Sequence, residues 1–353
     1  MYYLRFLSPP KVAEGPRSLL TVNAVLAVTT DLGDDFCPDD LTVQARVVDG
    51  LDHEKVLQSQ SYACPGYSRA LKISLSVPGK YVSRDACVHV AVNQGDSSSD
   101  EDGHFPHVLD VWSTQFHLTD KQRAEPLVER RLAMSNGSVL RVLEETGDSI
   151  ARHIWDASLG FLQHFDRVLA TTEPTSELQQ LLSCKPKRPL RVIELGAGCG
   201  IVGIAFAQLV KSDVLLTDLD DALDILTSNI RLASPAPGSR LEAMMLDWSE
   251  QLASTSTQSQ YDLILVSDCI YNPDSSIHLV ETLQRLSKQT PVPLILVGYK
   301  HRHSADQLFF DRMREAKFSA LTTSTVRLTP SDGDGDGDEA GPAIEFYEYR
   351  VQP

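Results

Sequence analysis

The residues of this chain with the clearest chemical potential form a glycine-rich segment at residues 192–203. It reads Val-Ile-Glu-Leu-Gly-Ala-Gly-Cys-Gly-Ile-Val-Gly, so an apolar strand leads into a glycine turn and then an apolar helix. Glycines let the backbone turn close to a ligand, and a helix start offers free N–H groups to it. The spacing Gly198-x-Gly200-x-x-Gly203 also satisfies the dinucleotide-binding pattern. The turn therefore predicts a nucleotide-like ligand, either a nicotinamide nucleotide or an adenosyl group.

Acidic residues follow the neighbouring strands of the same predicted sheet. Asp218 ends the second strand, 20 residues beyond Gly198, where ribose hydroxyls could bind it. Asp247-Trp248 follows the third strand, and residues 267–271, Ser-Asp-Cys-Ile-Tyr, follow the fourth. Because open α/β sheets bind ligands at the carboxyl ends of their strands, we expect these side chains to share one crevice. The Tyr-x-x-x-Lys pair of many short-chain dehydrogenases is absent from the sequence, which favours the adenosyl ligand.

Alternating strands and helices must position these residues. The predicted strands cover residues 190–195, 214–217, 241–246, 261–266 and 293–297, and the predicted helices cover residues 201–210, 222–232, 275–286 and 305–316. Several of the strands are continuous apolar runs, which is typical of buried parallel strands. Two last strands, at residues 320–328 and 344–351, have no helix between them and should pair as a hairpin. The predicted fold class is α/β, a doubly wound, Rossmann-like sheet that ends in an antiparallel hairpin.

The first 120 residues follow a different pattern. Short apolar or alternating runs are separated by turn residues, and they lie at residues 2–7, 19–29, 41–48, 70–77, 86–92 and 108–116. This pattern predicts a β-rich, sandwich-like accessory or substrate-docking domain over residues 1–120. Residues 121–186 are predicted as linking helices and a strand, with a charged helix from residue 120 toward residue 134 and another helix from Trp155. The ligand-binding domain then covers residues 187–353.

Composition excludes several classes of protein. There are 48 acidic against 32 basic residues, and the formal charge of −16 argues against nucleic acid and anionic membranes as partners. Residues 192–210 are almost uncharged, yet their glycines and Glu194 fit a strand, a turn and a helix better than a membrane span. Six cysteines without a Cys-x-x-Cys pair indicate reduced thiols, and the ten histidines suggest no metal site. The apolar run at the start is too short for a signal peptide, so we expect a cytoplasmic protein that could also enter the nucleus.

The motifs together resemble the seven-strand, S-adenosylmethionine-dependent methyltransferases. More narrowly, they look like the methyltransferase-like 21 group of protein-lysine methyltransferases, which is methyltransferase family 16. The resemblance spans about residues 139–350 and is carried by residues 154–159 (Ile-Trp-Asp-Ala-Ser-Leu), 192–203, 216–219 (Leu-Thr-Asp-Leu), 246–248 (Leu-Asp-Trp) and 262–271 (Asp-Leu-Ile-Leu-Val-Ser-Asp-Cys-Ile-Tyr). The Trp-Asp-Ala and Asp-x-x-Tyr motifs are more specific than the glycine turn. The β-rich first 120 residues lie outside the usual family core and indicate a fungal-type member with an extra N-terminal domain.

The resemblance implies a role for each of these residues toward S-adenosyl-L-methionine. The residues that would bind this cofactor are Trp155, Glu194, Gly196, Gly198, Gly200, Asp218, Asp247, Trp248 and Ser267. Within that set, Trp155, Glu194 and the glycines shape the pocket for its methionine part, and Glu194 accepts from its ammonium directly or through water. Asp218 holds the ribose, while Asp247 and Trp248 frame the adenine. Asp268 and Tyr271 are the implied catalytic residues and face the methyl group.

The implied activity is transfer of a methyl group to a lysine of an intracellular protein. Residues 155–157 look most like the branch that modifies valosin-containing protein, while fungal relatives that modify translation elongation factors share the same motifs. We therefore expect a protein substrate of the chaperone/ATPase or translation elongation factor class, and a monomeric enzyme. Two alternatives stay open: a nucleobase or small-molecule methyltransferase, and a non-catalytic interaction protein with the methyltransferase fold. Asp268-Cys-Ile-Tyr271 lacks the prolines of the Asp/Asn-Pro-Pro-Tyr motif of base-amine methyltransferases, which disfavours the nucleobase.

Three further patterns carry weaker signals. Residues 332–337, Asp-Gly-Asp-Gly-Asp-Gly, copy the opening of a calcium loop, but its twelfth position is Ala343 instead of glutamate, which favours a flexible acidic tip. Residues 300–303, Lys-His-Arg-His, are expected to form a solvated loop or to contact an acidic patch of the substrate. Asn229 fits either a recurrent family position or a hydrogen bond at a helix end.

Overall fold

The computed structural model describes ten stretches of the chain, which are residues 1–14, 19–81, 83–93, 105–119, 121–147, 149–172, 174–183, 188–250, 260–328 and 343–352. They form two compact units, Met1–Arg131 with Leu143–Ile150, and Leu132–Val142 with Ala151–Pro353. The expected exposed loop at residues 94–103 and the calcium-like run at residues 332–337 lie outside the described residues.

Two β-sheets make up the first unit. The strands that belong to it wholly or in part, β1 to β11, are Tyr2–Glu14, Leu20–Thr29, Leu41–Asp49, Val56–Cys64, Leu71–Val77, Asp85–Val92, Val108–Leu109, Val111–Ser113, Phe116–His117, Leu127–Ala133 and Val139–Glu145. One sheet has the order β5-β2-β1-β7, and the other has the order β11-β10-β8-β6-β3-β4, with β9 paired to β6. Side chains from both sheets enter one apolar cluster, as in a sandwich. The β-rich N-terminal region predicted from the sequence is confirmed.

The predicted charged helix over residues 120–134 is wrong, because strand β10 occupies Leu127–Ala133. The charges of this segment misled the prediction, since Arg130 is buried and only 1% of its side chain is exposed. Its guanidinium pairs with Glu144 at 2.6 Å and donates to the carbonyl oxygen of Leu4 at 2.8 Å. An arginine with such partners can lie inside a sheet. Strand β4 has no counterpart in the prediction, because its polar residues form the exposed edge of a sheet.

The second unit contains a seven-stranded sheet and helices. Strands β12 to β18 are Leu190–Leu195, Ser212–Asp218, Arg240–Met245, Leu263–Ser267, Leu294–Lys300, Phe318–Arg327 and Ala343–Val351. Helices α1 to α6 are Asp156–Ala170, Glu177–Ser183, Ile201–Leu209, Leu223–Leu232, Pro273–Leu286 and Gln307–Glu315. The strand order is β14-β13-β12-β15-β16-β18-β17, with β12 to β16 parallel and β18 antiparallel to both of its neighbours. The predicted doubly wound sheet and its antiparallel C-terminal pair are confirmed.

The strand order reverses beside β12, since β13 and β14 lie on one side of it and β15 and β16 on the other. Leu195, the last residue of β12, has Thr217 of β13 and Val266 of β15 as its register partners. The carboxyl ends of the three strands therefore meet at a topological switch point, where sheets of this kind bind ligands. Residues 192–210 form a strand, a turn and a helix, as predicted. In the part of the chain that the structure describes, every helix is too short or too polar to cross a membrane.

Helix α1 packs closely on the sheet. The Phe161 ring meets the Phe346 ring of β18 edge-on, with 4.9 Å between the ring centroids. Gly298 of β16 leaves room for this contact, because a Cβ there would lie 2.5 Å from the Phe161 ring. At the start of the helix, Asp156 pairs with Lys300, the last residue of β16, at 2.7 Å. This packing brings Trp155, which precedes α1, to the carboxyl end of the sheet.

Candidate active site

The glycine turn joins β12 to α3 over residues 196–200. Gly196, Gly198 and Gly200 have φ angles of 67°, 53° and 78°, in the left-handed region that favours glycine. A Cβ on Gly196 would lie 2.6 Å from Sγ of Cys269, and one on Gly198 would lie 2.8 Å from the carbonyl oxygen of Ala151. The turn is therefore fixed by its dihedral angles and by packing at the same time.

Glu194 of β12 is directed toward the start of helix α3. The residue is 1% exposed, and its Oε2 accepts a hydrogen bond from the Gly203 N–H at 2.8 Å. Burial raises the pKa of this carboxyl to about 8, so the neutral acid predominates at pH 7. A buried, neutral acid in this position holds the turn on the helix. Its contact with the ammonium of a ligand stays a prediction.

Asp218 reaches from the end of β13 back to the glycine turn. Its Oδ2 accepts a hydrogen bond from the Gly198 N–H at 2.6 Å, and its Oδ1 accepts one from the Leu219 N–H at 2.7 Å. Burial raises the pKa of this carboxyl. Since each carboxylate oxygen has two lone pairs, both oxygens can still accept from a ligand hydroxyl. The structure thus brings Asp218 and the turn together.

Trp248 and Asp247 follow β14. The Trp248 ring lies against the turn, because a Cβ on Gly196 would be 3.2 Å from its Cζ2. Arg285 of α5 donates to the Trp248 carbonyl oxygen at 2.8 Å and anchors the segment. The Ser249 hydroxyl, 2.6 Å from Asp247 Oδ1, lowers the pKa of the Asp247 carboxyl, which is therefore ionised at pH 7. An aromatic face and an anionic acceptor lie next to each other in the sequence beside the turn.

Asp268 follows Ser267, the last residue of β15. Its backbone has a φ of 54°, and its N–H donates to the Gly298 carbonyl oxygen at 2.9 Å. Left-handed backbone at a residue other than glycine is uncommon and is found more often at functional sites. Its carboxylate is 9% exposed and pairs with Arg302.

The side chains of Tyr271 and Cys269 lie close to the acids of neighbouring strands. Partial burial raises the pKa of the Tyr271 phenol, and the nearby acidic groups of Cys269, Asp218 and Asp268 raise it further. The thiol of Cys269, which is buried, has a pKa raised by burial and then by Asp218, Asp268 and Glu194. Acids of three strands thus act on the Cys269 thiol, and Asp218 and Asp268 act on the Tyr271 phenol as well. The predicted site residues of β12, β13 and β15 are therefore neighbours.

Two cations, one at the end of β16 and one just after it, lie at the site, where the sequence predicts a solvated loop or a substrate contact. Lys300 pairs with the buried carboxylate of Asp156, and the Arg302 guanidinium pairs with Asp268. The Cζ atom of Arg302 also lies 5.5 Å from the centre of the Trp155 ring. Lys300 and Arg302 are thus internal partners, which corrects that expectation for both. Sequence reasoning missed them, because a basic run after a strand usually lies in solvent.

Asn229 of α4 is a further residue that supports the turn. It is fully buried, and its Nδ2 donates to the carbonyl oxygen of Cys199 at 2.8 Å. Arg152, just before α1, pairs with Asp224 of the same helix and donates to the carbonyl oxygen of Asp221 at 2.8 Å. These contacts hold α4 against the turn. The sequence left the role of Asn229 open, and in the structure its side chain makes a hydrogen bond to the glycine turn.

One set of potential metal ligands lies in the first unit, among the residues that the structure describes. The ligand atoms of Cys37, Asp39 and His107 all lie within 4.8 Å of one another, a grouping that the sequence does not suggest. Asp39 is 3.2 Å from His107 and accepts from the Cys37 thiol at 3.7 Å. Burial raises the pKa of that thiol to about 11, so it stays a protonated donor. Hydrogen bonding accounts for this cluster.

The site at the switch point fits an adenosyl ligand in the chemistry of its residues. Asp218 can accept from ribose hydroxyls, and the Trp248 ring offers an aromatic face next to the ionised carboxyl of Asp247. The turn between them has no room for a side chain at Gly196, Gly198 or Gly200. A strand order of this kind, with a glycine turn after β12, an acid at the end of β13 and acids after β14 and β15, defines a seven-strand, S-adenosylmethionine-type methyltransferase.

The chain belongs to the lysine methyltransferase family, whose model matches residues 134–316. The UPF0665 family protein C23C4.06c of Schizosaccharomyces pombe is 28% identical over 320 residues, which are 88% of this chain and 92% of that protein. The protein N-lysine methyltransferase METTL21A of Danio rerio is 36% identical over 126 residues, 35% of this chain and 56% of the relative. The EEF1A lysine methyltransferase 3 of Mus musculus is 30% identical over 175 residues, which are 49% of this chain and 67% of the relative.

These similarities differ in reach. The match to the Schizosaccharomyces pombe protein includes most of the β-rich region, whereas the chain spans 56% of METTL21A from Danio rerio. The family match begins at residue 134, after most of the first unit. Family membership makes the chain a methyltransferase and S-adenosyl-L-methionine its methyl donor, which agrees with the fit of the switch-point residues.

Proposed function

We propose that this chain transfers a methyl group from S-adenosyl-L-methionine to a lysine side chain of a specific protein. The observation that carries the proposal is the convergence of the glycine turn, Asp218 and Asp268 at the switch point of a chain that belongs to the lysine methyltransferase family. Relatives with the printed activity of protein-lysine methylation support the choice of lysine over other acceptors.

The residues of the turn and of the strand ends would hold the cofactor. We assign the ribose hydroxyls to Asp218, the adenine to Asp247 and Trp248, and the methionine part to the turn with Trp155. Glu194 shapes this pocket from below through its bond to Gly203. Ser267 completes the cofactor-binding set at the end of β15. When bound, S-adenosylmethionine supplies a methyl group on a positively charged sulfur, which an amine lone pair can attack.

Asp268 positions the target lysine. A lysine amine with a pKa of about 10.4 is mostly protonated at pH 7 and then has no lone pair for attack. An ionised carboxylate favours that ammonium form, so Asp268 is a poor general base and a good docking group. The proton would leave to water before transfer, and Asp268 would hold the neutral nitrogen so that its lone pair is directed at the methyl group that the bound cofactor would supply. Orientation of this kind can lower a barrier by several kcal/mol.

Tyr271 forms a wall beside the acceptor. Its raised pKa keeps the phenol protonated at neutral pH, so it can donate a hydrogen bond but cannot act as a base. Since 57% of the residue is exposed, it lies where an incoming side chain can reach it. We therefore assign Tyr271 to the lysine channel.

Finer features of the function extend the proposal. We propose a substrate of the translation elongation factor class, or else of the chaperone/ATPase class, since one relative is named for EEF1A. The net charge of −16 supports a basic protein segment as partner. A monomeric enzyme in the cytoplasm, with the nucleus as a second location, completes the proposal. The β-rich unit is proposed to help select the substrate.

Incubation of the purified chain with radiolabelled S-adenosylmethionine and a dialysed cell lysate tests the function. We expect label in a discrete protein band that protease removes and nuclease leaves, with methyl-lysine in its acid hydrolysate. Label in nucleic acid alone would replace the proposal with nucleobase methylation. A chain that binds the cofactor and labels nothing would be a non-catalytic member of the family.

The Asp268→Ala variant tests the assigned role. We expect at least a hundredfold loss of labelling, while the Kd for the cofactor, measured by isothermal titration, stays within about threefold of wild type. Asp274→Ala is the matched control, because Asp274 is an exposed acid six residues further along. Equal labelling by wild type and Asp268→Ala would remove Asp268 from the mechanism.

A further inference from the structure

Arg302 lies in this site but has no role in the proposed function. Its guanidinium pairs with the carboxylate of Asp268, and 15% and 9% of the two side chains are exposed. Its Cζ lies 5.5 Å from the centre of the Trp155 ring. The backbone N–H of Arg302 donates to Asp306 Oδ2 at 3.1 Å, which fixes the loop before the last helix. The guanidinium is therefore held between a predicted catalytic carboxylate and a predicted cofactor-pocket ring.

We propose that Arg302 is a positioning residue whose fixed positive charge offsets that of Asp268, so that the target lysine gives up its proton once it is held at the site. This inference rests on the proposed lysine methylation and adds the means by which the acceptor loses its proton. Arg302 itself forms no bond to the reacting atoms.

The charges at the site decide the protonation state of a lysine that enters it. At pH 7.4 about one free lysine side chain in a thousand is neutral. A lone carboxylate would make that fraction smaller, because it attracts the ammonium ion. A guanidinium keeps its charge at any physiological pH. Placed on the same carboxylate, it opposes a second cation there, while a neutral amine can still accept or donate a hydrogen bond.

The other titratable groups around Asp268 and Cys269 do not replace this charge. They are Glu194 of β12, Asp218 of β13, Cys269 and Tyr271 after β15, Lys300 of β16, Asp156 of α1, and His301 and Asp306 in the loop before α6. Burial keeps the Glu194 carboxyl and the Cys269 thiol protonated, and the Tyr271 phenol is protonated as well. Lys300 is paired with Asp156 at 2.7 Å, and Asp306 is 3.6 Å from the His301 ring. The cation placed on Asp268 is thus the Arg302 guanidinium.

A pH profile distinguishes this role from a structural one. Single-turnover rates, with enzyme in excess over the label-accepting protein fraction of the lysate, report ionisation in the enzyme–substrate complex. For Arg302→Gln we expect the midpoint of the profile to rise by about one pH unit, with about a tenfold lower rate at pH 7.5 and a near-normal rate at pH 9.5. Arg302→Lys should keep the wild-type midpoint, because it keeps the charge.

The Asp268→Asn variant should shift the midpoint of the pH profile in the opposite direction, below that of wild type. It removes the negative charge and leaves Arg302, so its slow residual rate should have a midpoint about one pH unit below wild type. This variant also keeps the inference testable if Arg302→Gln does not fold, as judged by thermal melting and cofactor titration. Unchanged midpoints in the folded variants, with rates reduced equally at every pH, overturn the role of Arg302. A wild-type chain that labels no lysine overturns the proposed function instead.

Discussion

Asp218 is the residue that connects the cofactor pocket to its own scaffold, since its two oxygens accept from Gly198 and Leu219. We expect Asp218→Ala to weaken S-adenosylmethionine binding at least tenfold, or about 1.4 kcal/mol, because it removes the proposed ribose acceptor and leaves the Gly198 N–H without this bond. Isothermal titration measures the change. Asp220→Ala, at an exposed acid two residues on, should bind normally. A normal Kd for Asp218→Ala would contradict the assignment.

Glu194 makes a prediction about pH. Its folded pKa of about 8 exceeds the ordinary value of 4.5, so its contribution to stability is full below pH 4.5 and is lost as pH rises through 8. The shift corresponds to a loss on the order of 3 to 5 kcal/mol. Glu194→Gln does not titrate, and its amide oxygen can still accept from Gly203.

Denaturant unfolding at pH 5 and at pH 8 tests this sign. The unfolding free energy of Glu194→Gln relative to wild type should rise between the two values. A difference that stays constant between pH 5 and pH 8 would mean that the ionised carboxylate is the native form. Glu242→Gln, at an exposed position of β14, is the control.

At the scale of elements, helix α4 supports the turn through one buried side chain. Asn229→Ala removes the donor to the Cys199 carbonyl oxygen and should lower the unfolding free energy by about 1 to 3 kcal/mol. Because the released carbonyl lies in the turn, cofactor binding should weaken several-fold as well. Ser228→Ala, whose hydroxyl bonds within its own helix, is the matched control. Destabilisation without any change in the cofactor Kd would limit Asn229 to a folding role.

Elements of the sheet could be predicted where burial leaves a mark on the sequence. Strands β15 and β16 are continuous apolar runs, and the glycine turn marks the end of β12. Strand β10 could not be found in this way, since Arg130 is buried only because distant partners satisfy it. The same limit applies to Arg302, whose partner Asp268 is 34 residues away in the sequence. Periodicity reports burial by apolar side chains and is silent on burial by ion pairs.

At the scale of the whole molecule, the sequence divides into a region that the family explains and one that it does not. The family match covers residues 134–316, while the first unit is made mainly of residues 1–131. A single sequence shows that this unit is β-rich, because its turns and alternating runs are local features. Its contribution to substrate choice cannot be read in the same way, since docking surfaces have no fixed spacing of residue types.

The stability of the first unit depends on the buried pair Arg130–Glu144, whose side chains are each 1% exposed. Arg130→Leu leaves a buried carboxylate without its 2.6 Å partner and should cost about 3 to 5 kcal/mol in denaturant unfolding. Arg130→Leu with Glu144→Leu should cost less than the single change, because it removes both fully buried charges and costs only the longer contact of Glu144 with Arg5 at 3.8 Å. Arg69→Leu, at an exposed arginine of the same unit, is the control. A double variant less stable than Arg130→Leu would show that the pair itself, and not the burial of one uncompensated charge, stabilises the unit.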